Sequence, residues 1–80
     1  MTMQECVANR LIELCEQKHL SQNALARISA VPPSTVKNII SGVSKNPGIV
    51  TLKMLCDGMD MTLIEFLDTP AFRSLEQEIR

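Results

Sequence analysis

The 80-residue sequence has no tryptophan and no tyrosine, and only Phe66 and Phe72 are aromatic. The core must therefore be filled by Leu, Ile, Val, Met and Ala, a palette that suits helices. No segment alternates apolar and polar residues as a strand does, and no repeat or low-complexity stretch occurs. The three cysteines, Cys6, Cys15 and Cys56, are odd in number and none has C-x-x-C spacing, so neither a disulfide framework nor a zinc site is signalled. They read as buried free thiols of a reducing compartment. No basic head precedes an apolar run, and no run approaches the ~18 apolar residues of a membrane span. The expected location is the cytoplasm. His19 has no second histidine or paired carboxylate with it and reads as structural. No nucleophile–base set and no glycine-rich phosphate loop is present, so no enzyme, cofactor, metal or small-molecule substrate is expected.

Acidic residues are missing from one long stretch. The net charge is −1 overall, but residues 17–56 hold Lys18, Arg27, Lys37, Lys45 and Lys53 and no acid. Residues 1–16 carry −2 and residues 57–80 carry −4. An acid-free run of 40 residues in a slightly acidic chain points to one face kept positive for a polyanion.

What is there is helical periodicity. A chain this short is one domain, residues 1–80, and buries only roughly 60% of the surface its unfolded form exposes. Val7, Leu11, Leu14 and Cys15 make one stripe of a first helix, from Met3 to Lys18. Ser21 is an N-cap for a second helix, Gln22 to Ser29, with Ala24, Leu25 and Ile28 at apolar spacing. Ala30-Val31 leads into Pro32-Pro33, where the chain must turn. Pro33 suits the first turn of a third helix, which runs to Ile40 and ends near Gly42, an αL cap. Its Val36, Ile39 and Ile40 face inward. Val43–Gly48 is a loop. Leu52, Leu55, Cys56 and Met59 mark a fourth helix from Ile49 to Met59. Thr62 and Glu65 form a capping box for a fifth, with Leu63, Phe66 and Leu67 on its apolar side. After Pro70, the stripe Phe72, Leu75, Ile79 predicts a short extra C-terminal helix. The expected fold is all-α, five helices plus that extra one.

Residues 21–42 thus hold two short helices, a tight turn and a polar outer face on the second helix, which is the helix-turn-helix arrangement. Ala26 is small enough for close helix approach. In Leu20-Ser21-Gln22, Leu25-Ala26, Ala30-Val31, Ser34-Thr35-Val36, Ile39, Gly42, Pro47 and Thr51-Leu52, the chain resembles the phage repressor and Cro-type, or XRE-like, helix-turn-helix domains. The resemblance runs from about Arg10 to Leu67. Two positions depart from the family pattern. Ala30 stands where the turn usually has glycine, at a strain of about 1 kcal/mol if φ is positive. Cys15 and Ile40 stand where the family often pairs an arginine with a glutamate, so an apolar contact between two buried side chains is expected there.

The resemblance implies a sequence-specific transcriptional regulator, a repressor acting as a homodimer on double-stranded DNA. It implies base contacts by Pro33, Ser34 and Asn38, and backbone contacts by Gln22, Thr35, Lys37, Lys45 and Asn46. Lys18 and Lys53 are weaker candidates. Ser34 and Thr35 can equally cap the third helix, and Lys37 and Asn38 can equally be solvated surface. Phe72, Leu75 and Ile79 are the candidate dimer contact within residues 70–80, with packing back on the first helix the alternative. The competing function is a protein-interaction module on the same fold, an antitoxin or anti-repressor surface, which the acidic segment after Asp57 would serve.

Overall fold

Side-chain caps and left-handed exits set the helix boundaries. The computed structural model describes residues 1–79, and these contain α1 (Met3–Gln17), α2 (Gln22–Ser29), α3 (Pro33–Ser41), α4 (Ile49–Gly58), α5 (Leu63–Leu67) and α6 (Pro70–Arg73). No helix among the described residues is long and apolar enough to cross a membrane. Thr2, Ser21, Thr62 and Thr69 each accept a hydrogen bond from the backbone N–H three residues on, which satisfies an orphan donor of the first turn. At Thr2 and Thr62 the cap is reciprocal, with Glu5 and Glu65 accepting from the threonine backbone N–H. Those hydrogen bonds hold both carboxyls below their ordinary pKa.

Three helices end in the same way. Leu20 N–H bonds Cys15 C=O at 2.9 Å, Val31 N–H bonds Ala26 C=O at 3.0 Å, and Met61 N–H bonds Cys56 C=O at 3.0 Å. The residue before each donor has positive φ: His19 at 55°, Ala30 at 55° and Asp60 at 56°. This is the Schellman closure, in which one left-handed residue reverses the chain and the next, apolar residue folds back on the helix. Leu20, Val31 and Met61 all pack on the core. The closure usually takes glycine, and none of the three is glycine here.

The core forms where α1 crosses α3 and where α2 packs on both α3 and α4. Leu11, Leu25, Val36, Leu55, Cys56 and Phe66 are fully enclosed. Cys6, Cys15 and Cys56 are free and buried, and burial pushes their thiols above the usual pKa. Ile28, in register with the apolar stripe of α2, is nevertheless exposed. At the α2–α4 contact, a Cβ on Gly58 would lie 2.1 Å from Ser29 Oγ and 3.0 Å from Ser29 Cα. Only glycine lets the two backbones approach this closely. The Ser29 hydroxyl is buried there with no hydrogen-bond partner among the described residues.

Arg10 joins the two ends of the molecule. Its Nε donates to Phe66 C=O at 2.8 Å and its Nη2 to Glu65 C=O at 3.2 Å. Its Nη1 pairs with Glu13 at 2.5 Å, and its guanidinium lies 5.9 Å from the centroid of the Phe66 ring. A five-residue α5 cannot stand alone; Arg10 caps its last carbonyls with charge of the favourable sign.

The C-terminal stripe is corrected by the structure. Helix α6 is one turn, and Leu75 to Ile79 are not helical. Ser74 bonds back to Pro70 C=O through both its N–H and its hydroxyl, at 3.1 and 3.0 Å. The chain then turns so that Glu76 meets Met1: its N–H lies 3.4 Å from Met1 C=O and its carboxylate 3.2 Å from the terminal ammonium. Phe72 packs half-buried on the core, 5.9 Å from Phe66. Leu75 is half-buried and Ile79 is 80% exposed. Leu75 and Ile79 thus share no helix with Phe72, and Phe72 packs back toward α1.

Two substitutions test this account by thermal unfolding. Arg10→Met keeps the aliphatic stem and removes the caps; it is expected to lower stability by about 2 kcal/mol, roughly 10 °C in Tm. Ser29→Ala removes a buried, unpaired hydroxyl and is expected to raise stability by about 1 kcal/mol. A lower Tm for the alanine variant would show that the hydroxyl is satisfied.

Candidate nucleic-acid interface

The site grows from the turn between α2 and α3. Ser21 starts α2 and leaves Gln22 exposed at its first position. Leu25 and Ala26 are buried, so the far side of α2 is fixed against the core. At Ala30 the chain reverses with φ 55° and ψ 35°. Val31 is drawn into the core by the closure just described. Pro32 then takes an extended ψ of 138°, and Pro33 opens α3 with its φ already helical. The expected glycine-free strained turn is therefore present, at Ala30.

Helix α3 is anchored by Val36 and Ile39, both buried. Pro33, Ser34, Lys37, Asn38 and Ser41 are exposed. Their spacing, i, i+1, i+4, i+5 and i+8, places them on one face of a helix. Thr35 is set off that face and half-buried. Nine residues make a helix about 13 Å long at 1.5 Å per residue. No side chain caps α3, so Ser34 and Thr35 are not its caps. Beyond Gly42, at φ 83°, the loop carries Lys45 and Asn46, both exposed. They line an open hollow with Thr2, Met3 and Gln4 of the first turn of α1 and its cap.

The electrostatic division is sharp. Among the described residues the side-chain ion pairs are Arg10–Glu13, Lys53–Asp57 and Arg73–Asp68. Each lies outside the α2–α3 unit and its loop. The side chains of Gln22, Ser34, Thr35, Lys37, Asn38, Lys45 and Asn46 make no hydrogen bond or ion pair among the described residues. Lys53, a weaker candidate in the sequence, is committed to Asp57 on its own helix. Lys18 is exposed and unpaired among the described residues.

The expected Cys15–Ile40 contact is met only in part. Cys15 is buried, whereas Ile40 is half-buried. Ile40 lines a shallow hollow with Gln4, Glu5, Ala8 and Asn9, about two turns of α1 before Cys15. The end of α3 thus lies near the start of α1. One polar link was missed altogether in the sequence: Gln4 Nε2 donates to Gly42 C=O at 2.8 Å. Gln4 falls on the same side of α1 as Val7, Leu11 and Cys15, a polar residue in the apolar register, but that spacing does not say which distant group it reaches.

A model of the helix-turn-helix family matches residues 11–66. Among solved structures, the crystal structure of the prophage Lp1 protein 11 superposes with a TM-score of 0.81 at 31% identity, covering 94% of this chain and 99% of that one. No curated protein matches the sequence.

The strain at Ala30 can be tested without disturbing the site. Ala30→Gly relieves a left-handed alanine and is expected to add about 1 kcal/mol of stability. Urea unfolding reads it as a higher midpoint at unchanged slope; a lower midpoint would mean that the turn is unstrained.

Proposed function

The chain belongs to the helix-turn-helix family, and from that premise we propose that it is a sequence-specific DNA-binding transcriptional regulator. The observation that carries this reading is the unspent polar face. Pro33, Ser34, Lys37 and Asn38 share one exposed surface of α3, while every side-chain ion pair among the described residues is formed elsewhere. A helix of this length fits a major groove about 12 Å wide. Asn38 can bond an adenine edge bidentately, Pro33 can touch a thymine methyl, and Ser34 can bond either edge. Gln22, Thr35, Lys37, Lys45 and Asn46 hold the phosphate backbone and fix the register.

One α3 reads only a few base pairs. Two copies on half-sites about one helical turn apart supply the rest of the specificity. Bound in this way, the protein represses by covering DNA that another protein needs. The alternative reading, an antitoxin or anti-repressor surface, would be favoured by base-contact positions that are buried or packed on their own chain. Those positions are exposed, and we do not adopt it.

Selection from a random duplex pool, followed by binding titrations at several salt concentrations, tests the proposal. A related, two-fold symmetric set of sequences is expected. Asn38→Ala should cost about 1–3 kcal/mol on the selected site and relax preference at one position per half-site. Lys37→Ala should weaken binding to all sequences and make the log–log salt dependence shallower by about one unit per half-site. Retention of no duplex at low salt would overturn the regulator reading.

A further inference from the structure

We propose that Gln4 is a positioning residue for DNA binding, holding the loop after α3 so that Lys45 and Asn46 meet the phosphate backbone. The inference rests on the DNA-binding reading above and extends it to a residue outside the span, 11–66, that matches the family.

The loop has few ties of its own. From Val43 to Pro47 its backbone makes one hydrogen bond among the described residues, from Ser44 N–H back to Asn38 C=O at 3.0 Å. That bond closes the end of α3 locally and says nothing about where the loop lies relative to α1. The Gln4 amide supplies the missing reference. It donates at 2.8 Å to Gly42 C=O, across 38 residues of sequence, in a part-buried setting. It is the one hydrogen bond among the described residues that joins α1 to α3 or its loop. Gly42 is the left-handed residue at which the chain leaves α3, so fixing its carbonyl plane fixes the direction of exit. A carbonyl there has no helical partner, and the amide satisfies it.

Gln4 also stands between two hollows. On one side it meets Ile40, Ser41 and Gly42. On the other it faces Lys45, Asn46 and Pro47. Gln4 thus lies between the end of α3 and the loop that carries Lys45 and Asn46. Gln4 acts through Gly42, and the phosphate contact is made by Lys45 and Asn46.

The test is a double-mutant cycle on the duplex selected by the wild type, with folding of each variant checked by circular dichroism. Gln4→Met keeps length and loses the donor; Gln4→Asn keeps the amide and loses the reach. Both are expected to weaken binding roughly tenfold and to make the salt dependence shallower by about one unit per half-site, as loss of one phosphate contact does. Lys45→Met should do the same alone. In the Lys45→Met background, Gln4→Met should add little, because the contact it positions is already gone. Wild-type affinity and salt dependence in either Gln4 variant would overturn the proposal, as would fully additive losses in the double variant. Wild-type protein that binds no duplex would instead overturn the DNA-binding reading, and this inference with it.

Discussion

The left-handed reversal at Ala30 is the constraint on which the helix-turn-helix unit depends. It turns the chain out of α2 within one residue and lays Val31 on the core. The prolines that follow then leave α3 a single direction in which to start. A looser connection would let α3 swivel, because its own anchors, Val36 and Ile39, lie along one line of a short helix. The same closure at His19 and Asp60 fixes the ends of α1 and α4. Histidine and aspartate tolerate this conformation better than alanine does. Strain is therefore concentrated at the turn that presents α3, where the surrounding packing over-determines the backbone.

Electrostatics follow a division of labour that the fold makes visible. Glu13 of the first segment pairs with Arg10, Asp68 of the last with Arg73, and Asp57 takes Lys53. The α2–α3 unit and its loop keep Arg27, Lys37 and Lys45 without a side-chain ion pair among the described residues. Exposed pairs of this kind add little stability. Their arrangement matters more for what it leaves unpaired, the cationic side chains of the helix-turn-helix unit and its loop, in a chain of net charge −1. Arg10 is the exception, since it is mostly buried and its bonds to the α5 carbonyls hold the C-terminal third in place.

Helix positions and the exposed face of α3 were legible because both depend on period and on end chemistry. Ser21, Thr62 and Gly42 sit where a cap or a left-handed exit is needed, and the observed helix ends fall within one residue of the expected ones for α1 to α4. The exposed face of α3 follows from Val36 and Ile39 facing inward. Depth and partnership were not legible. Ile28 fits the stripe of α2 yet lies at its rim. Ser29 and Gly58 carry no apolar signal, although they make the closest backbone approach of α2 and α4. The Phe72, Leu75, Ile79 spacing suited a helix, but α6 stops at Arg73 with Ser74 as its C-cap. Periodicity reports which side of an element faces inward; it does not report which distant group an arginine or a glutamine will reach.

The replacement of the family's ion pair shows how such a reach changes the packing logic. An arginine late in α1 can extend across a turn or more of helix to a glutamate at the end of α3. A cysteine is far shorter, and Cys15 is buried. Ile40 stays half-exposed beside Ala8. The link between α1 and the end of α3 is consequently made further along, by a neutral amide on a backbone carbonyl. A neutral bond of this kind avoids the desolvation penalty of a buried pair. It also keeps its strength as salt rises, unlike a surface ion pair. The link that holds the exit from α3 is thereby insensitive to ionic strength, so a salt dependence of the proposed DNA binding reports on phosphate contacts.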